Sequence, residues 1–293
     1  MSTPAVGQST RTGTAAVRSG RRGELTRALG SWRSRGQLYF PISGLALLAV
    51  WYAMTDFVRV PDYVMPTIPD TLQALQIGVI ERAFLPSGLI VPLLASLKAA
   101  AMGYVLAVVL ASTLAALMAE SQAIRGATMP YVVGFQSLPK VALAPLVIIW
   151  FGFGIEAKVA MATLTCFFPI LISVFTGLSS INRDQLELFR SLRATRRQIF
   201  LYVKLPTAAP TIFAGLDMGI VFALLGTIVA EFVSAQEGIG ISIVQMRFVN
   251  DTAGVFAALF LLGLTGVALH AFVRFVEHRV IYWSELEGGL RLT

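Results

Sequence analysis

The sequence predicts an all-helical integral membrane protein of about six transmembrane helices, and three observations carry that reading. Of the 293 residues 56% are hydrophobic and only 13% charged, with a mean hydropathy of +0.74, a balance foreign to soluble globules. Apolar runs recur at the length, about 20 residues, that a helix needs to cross a hydrocarbon core of about 30 Å. The runs are continuously apolar rather than alternating, which argues against an outer-membrane barrel. Backbone polar groups in lipid must then be satisfied within each segment, so helices remain.

Taken in order, residues 1–37 are rich in Ser, Thr, Gly and Arg and too poor in apolar side chains to order themselves, so a disordered basic tail is expected. Residues 38–91 read as a first span, Leu38–Phe57, and an external loop. That span starts too late for a cleaved leader and runs into Trp51 and Tyr52, so it is expected to be retained. An Arg-rich, acid-poor leader also fits an organelle transit peptide, the weaker alternative. The core, residues 92–280, holds spans at Leu97–Met118, Ala127–Phe151, Lys158–Leu178, Pro210–Val233 and Ala253–Phe275, with a charged loop at 181–206. Residues 281–293 form a second tail.

Lys and Arg asymmetry orients the chain. Seven arginines against the single acid Glu24 precede the first span, placing the N-terminus in the cytoplasm. The next loop carries Asp62, Asp70 and Glu81 with Arg59 and Arg82 and belongs outside. Counting through, 181–206 falls inside, where Arg183, Arg190, Arg193, Arg196, Arg197 and Lys204 outnumber Asp184 and Glu187. Inward-facing loops and the N-terminal tail account for most of the +7 net charge, so no nucleic-acid partner is needed.

Cys166 is the only cysteine and has no second thiol to bridge. His270 and His278 lack the neighbouring ligands of a metal site. None of the four lysines follows a glycine, so the phosphate-binding loop of an ATPase is missing. No clustered catalytic constellation is found, so neither a catalytic residue nor a metal is expected.

The segment 186–206, LELFRSLRATRRQIFLYVKLP, is a charged amphipathic island between apolar runs. Leu186, Phe189 and Leu192 recur at helical spacing, and Thr195 with Gln198 forms a capping box that starts a second helix, closed by Pro206. A helix resting on anionic lipid is the competing reading.

The island resembles the cytoplasmic coupling loop of binding-protein-dependent ABC importer permeases, whose pattern runs Glu-Ala-Ala, three residues, Gly, then a helix ending in Leu-Pro. Glu187 falls at the Glu, and Leu205 with Pro206 at the ending; Leu188 and Phe189 replace the alanines and Arg193 the glycine. A glycine there serves a left-handed turn, which costs a residue with a Cβ roughly 1 kcal/mol or more. Either the turn is built differently or Arg193 has gained a role. Residues 138–154 and 214–240 are similar to the matching segments of nitrate, sulfonate and taurine type permeases.

The resemblance implies a type I importer of MetI-like fold with no cofactor of its own, ATP and Mg being bound by a partner ATPase. Two permease chains, taken as identical copies, would form the pathway in a bacterial cytoplasmic membrane with both termini inside. An external binding protein would deliver the solute, of sulfonate, nitrate, aromatic acid or vitamin-precursor type. Glu187, Leu188, Phe189, Arg190, Arg193, Leu205 and Pro206 would couple to the ATPase.

Charges at bilayer depth cost at least about 2.5 kcal/mol and so face a partner or a water-filled path. Lys98, Lys140, Asp217 and Glu231 qualify. Lys98 is expected to snorkel or to pair with Glu231. Gln136, Ser137 and Lys140 lie in a stretch opened by Pro130, Pro139 and Pro145, which marks them, with Asp217 and Glu231, as pathway candidates. Asp217 stands where many relatives carry a base, and unless neutralised it would repel an anion. Gly103, Gly219 and Gly226 invite close helix crossings. The rival reading is a secondary transporter working alone on an ion gradient, which would need no coupling loop and should show inverted halves.

Overall fold

Side-chain caps at Ser121, Asn182, Thr195 and Asp251 start helices in this protein. The computed structural model describes residues 42–58, 60–85, 87–234 and 236–281, so the two tails predicted at 1–37 and 281–293 lie, but for Ile281, outside them. The chain divides after Ile68 into two units. In the first, helix α1 (Ile42–Asp56) matches the described part of the first predicted span. Its Trp51 indole donates a hydrogen bond to the Pro66 carbonyl at 3.0 Å.

The second unit carries α2 (Ile68–Gln76, from the last residue of the first unit) and a π-helical turn (Ile77–Glu81), then α3 (Ile90–Glu120), α4 (Gln122–Ser137), a 3-10 turn (Lys140–Leu143), α5 (Ala144–Phe151) and α6 (Ile155–Ser179). There follow α7 (Arg183–Ser191), α8 (Arg196–Ile199), a π turn (Phe200–Lys204), α9 (Leu205–Ser234), α10 (Ile239–Phe248) and α11 (Thr252–Val280). Among the described residues there is no strand.

Among the described residues, four helical stretches are long and apolar enough to cross a membrane: α3, α6, the continuous rod Arg196–Val233 and α11. A fifth results if α4 and the stretch Lys140–Phe151, which meet at 90°, count as one span. The predicted span 127–151 is thus bent, at one of the prolines expected to open it. Leu138, held extended (φ −72°, ψ 138°) because the following Pro139 disfavours the helical region, makes the break. Pro130 stays inside α4, and Pro145 sits in the first turn of α5, where its missing N–H is no loss. Two further boundaries move: α3 starts at Ile90 rather than Leu97, and the stretch between the predicted spans Pro210–Val233 and Ala253–Phe275 contains α10.

Helix α6 packs along both α3 and α9, and half of its apolar window is buried against 11% of that of α11. Small residues allow the approach. A Cβ on Gly103 would stand 2.5 Å from the Ala162 Cβ, and one on Gly226 would overlap the Thr165 hydroxyl and lie 2.6 Å from the Met161 carbonyl. A Cβ on Gly219 would crowd Ile170 at 2.7 Å, so the three glycines lie at crossings as their sequence setting predicts. The Thr165 hydroxyl also bridges to the Phe222 carbonyl at 2.8 Å, and the Tyr104 hydroxyl donates to the Leu216 carbonyl at 3.1 Å.

Candidate functional site

The charged island is built from α7, α8 and the turn between them. Asn182 caps α7 by accepting from the Asp184 N–H at 3.1 Å. Helix α7 ends in a Schellman motif: the Arg193 N–H donates to the Arg190 carbonyl at 2.9 Å and the Ala194 N–H to the Phe189 carbonyl at 3.0 Å. The residue this motif needs in the left-handed region is Arg193, and its φ is 56°. The turn is therefore the one a glycine would make, built with an arginine. The capping box expected at Thr195 and Gln198 is formed, each reaching the other's backbone N–H.

Beyond it the expected end at Pro206 is not found. Helix α8 runs through the π turn into α9 as one 38-residue rod, Arg196–Val233. A proline in an α-helix clashes with the carbonyl four residues back and leaves it unbonded. The π turn, closed by the Leu205 N–H on the Phe200 carbonyl, widens the rod by one residue just ahead of Pro206. Ile199 and Val203 are buried and Phe200 packs on the core, while Lys204 pairs with Glu120 at the end of α3. Opposite this anchored side, Leu188 is 57% and Leu192 69% exposed, with Glu187, Arg190 and Arg193 exposed around them. Leu186 and Phe189 are half-buried, as is Pro206, and Leu205 is exposed.

A cavity of about 650 Å³ opens at the break between α4 and α5, bounded by α6 and α9. Gln136 and Lys140 line it together with Thr165, Phe168, Met218 and Phe222. The Lys140 ammonium donates to the Gln136 carbonyl at 3.4 Å and lies 5.5 Å from the centre of the Phe168 ring. Ser137 is exposed, donates to the Val133 carbonyl at 3.0 Å and does not line the cavity.

Glu231 and Asp217 also stand apart from that lining. The Glu231 carboxylate, fully buried, receives the Ser96 hydroxyl at 2.7 Å and the Gly240 N–H at 2.8 Å. Its ionic partner is Lys158, at 3.6 Å, and not Lys98, which is exposed. The Lys158 ammonium also donates to the Glu237 carbonyl at 2.7 Å, and the Ile239 N–H to the Ser96 oxygen at 2.9 Å. Four helices, α3, α6, α9 and α10, are tied at this one buried point. Gly238, at φ 123°, has no room for a Cβ, which would overlap the carboxylate.

A family described as "Binding-protein-dependent transport system inner membrane component" matches residues 103–282. The chain belongs to this family. It is a multi-pass inner-membrane permease subunit of a binding-protein-dependent ABC transporter. The formylaminopyrimidine transport permease protein ThiX of Halalkalibacterium halodurans is 33% identical over 241 residues, 82% of this chain and 94% of the relative. The riboflavin transport system permease protein RibX of Chloroflexus aurantiacus is 34% identical over 248 residues, 84% and 90% of the two chains. The taurine transport system permease protein TauC of Escherichia coli is 29% identical over 261 residues, 89% of each, which bears out the resemblance to sulfonate and taurine type permeases. In fold the permease is similar to a chain of the inward-facing MetNI methionine ABC transporter, with a TM-score of 0.57 at 20% identity over 66% of this chain and 94% of that one.

Within the permease, Asp217 on α9 meets His270 on α11, Oδ1 to Nδ1, at 2.6 Å. Weighed only as a metal ligand, His270 gives no signal in the sequence, and neither Ser96 nor Lys158 stands out there. The available signal was depth: Lys158 opens its span at the level where Glu231 closes another. His270 likewise falls inside the last predicted span, as Asp217 does inside its own.

Proposed function

We propose that this permease carries a small solute inward through a pathway that includes the Gln136–Lys140 cavity, driven by a separate ATPase that docks on the loop at 181–206. The exposed Leu188 and Leu192, ringed by Glu187, Arg190 and Arg193, are the observation that carries this reading. Two large apolar side chains on a charged helix outside the core suit a partner protein's groove. Phe189, Leu205 and Pro206 complete the coupling set. The ATPase would hold ATP and Mg, and this chain needs no cofactor.

The mechanism follows from stiffness. Helix α8 is fused to the spanning helix α9, and Lys204 braces it on Glu120, so a push on the island turns the rod that bounds the cavity. Packed interfaces convert such a push into a discrete switch between inward and outward openings. A second, identical permease chain and the lipid would cover the exposed outer faces, α11 included. The basic island lies inside, with both termini, by the charge asymmetry of the loops. An external binding protein would deliver the solute, of the sulfonate, nitrate, aromatic acid or vitamin-precursor kinds, on the opposite side.

The test is co-purification of a tagged permease from detergent-solubilised native membranes with an ATPase assay on the eluate, alongside Glu187→Arg and Arg193→Glu. A nucleotide-hydrolysing subunit retained by the wild type and lost by the variants is expected. A solitary oligomer that moves solute on an ion gradient would hand the function to a secondary transporter.

A further inference from the structure

We infer that the cavity at the α4–α5 break is a binding site for a small organic anion with a flat, aromatic body, its acid group held by the Lys140 ammonium and its ring lying among Phe168, Phe222 and Met218. This rests on the pathway reading above and names the chemistry of the solute. The cavity's volume, about 650 Å³, lies in the range of small-molecule sites.

The ammonium is the starting point. Lys140 follows the 16 residues of α4, which carry it about 24 Å from the island end of the bundle, well inside the apolar layer. Among the described residues no carboxylate stands within 4.0 Å of its Nζ. It has one long hydrogen bond to a carbonyl and the face of Phe168. An ammonium has three donors, so donors are left for an acid that enters the cavity.

The other charges support the same sign. Among the described residues, Lys140 is the only charged one on the lining. Asp217, one residue before the cavity residue Met218, is off the lining, its carboxylate held against His270 on α11 at 2.6 Å. The walls that remain are mostly apolar and include the rings of Phe168 and Phe222 and the thioethers of Met161 and Met218, surfaces suited to the faces of a planar ring.

The experiment uses the full chain in neutral detergent micelles, titrated calorimetrically with benzoate, benzamide and benzylamine. Benzoate is expected to bind about tenfold or more tightly than benzamide, as a charge-assisted hydrogen bond implies, and benzylamine not at all. Lys140→Gln should erase the preference for benzoate, Lys140→Arg should keep it, and Phe168→Leu should weaken benzoate and benzamide alike. Equal binding of benzoate and benzamide, or an unchanged preference in Lys140→Gln, would overturn the inference. An anionic lipid headgroup offers the same chemistry, so the titration is repeated with phosphatidylglycerol or phosphatidylcholine added. Loss of benzoate binding with phosphatidylglycerol alone would assign the site to lipid and overturn the proposal. Failure here while an ATPase still co-purifies sinks only the solute class; benzoate binding by a chain that recruits no ATPase sinks only the coupling.

Discussion

The Glu231 carboxylate lies 3.6 Å from the Lys158 ammonium across the α6–α9 interface, with 0% and 4% of the two side chains exposed. Two buried charges attract strongly, but each has lost its hydration, and the balance is favourable only when the remaining donors and acceptors are filled. Here they are, by Ser96, Gly240 and the Glu237 carbonyl. Removing one partner, as in Lys158→Met, leaves the other buried and unpaired and should cost about 3–5 kcal/mol, whereas Lys158→Met with Glu231→Met should recover most of that loss. Thermal unfolding of the purified permease reads both. A double variant as damaged as the single ones would show that the carboxylate's backbone contacts to α10, not the ion pair, are what matters.

Arg193 holds a conformation that a Cβ disfavours, at φ 56°. Arg193→Gly keeps both hydrogen bonds of the turn and should stabilise the permease by about 1 kcal/mol, while a β-branched Arg193→Val should destabilise it. The melting temperatures of the two variants should lie on either side of the wild type. If Arg193→Gly instead melts lower, the arginine side chain contributes more than its strained backbone costs.

Gly226 has neither room nor slack, since a Cβ would meet the Thr165 hydroxyl and the Met161 carbonyl. Gly226→Val should push α9 from α6 and lower stability by about 1–3 kcal/mol or more. Gly263, whose added Cβ meets nothing within 4 Å, supplies the control: Gly263→Val should fold as well as the wild type. Equal yields and melting points for the two variants would contradict the packing argument.

The Lys204–Glu120 bridge predicts a split between stability and coupling. Glu120 is 45% exposed, so the pair should contribute at most about 1 kcal/mol to folding. Glu120→Lys should therefore leave the melting curve nearly unchanged while reducing ATP-driven uptake by the assembled transporter. Exchanging the two, Glu120→Lys with Lys204→Glu, should restore it. Uptake unaffected by the single reversal would exclude Lys204 as the brace.

Legibility in the sequence followed the range of the interaction. The capping box at Thr195 and Gln198 was readable because it closes within four residues. The left-handed turn at Arg193 was locatable, but whether an arginine would accept it was not. The break at Pro139 was foreseen as a weakness, yet three prolines competed and only one made the corner, because Pro130 and Pro145 fell at positions that tolerate them. Helix α10 was missed because a ten-residue apolar helix is too short to signal a span.

By itself, the sequence determined that this chain is helical, crosses a membrane several times, and carries a basic two-helix island with the spacing of a coupling loop. Those properties depend on apolar run length, loop charge and short-range motifs, all local along the chain. Only the tertiary structure decided that Glu231 meets Lys158 and not Lys98, that Asp217 meets His270, and that Lys140 shares a cavity with Phe222. Each of those pairings joins separate helices, and the rotation of a helix about its axis is set by how its small residues and side chains pack against its neighbours, which no single stretch of sequence contains.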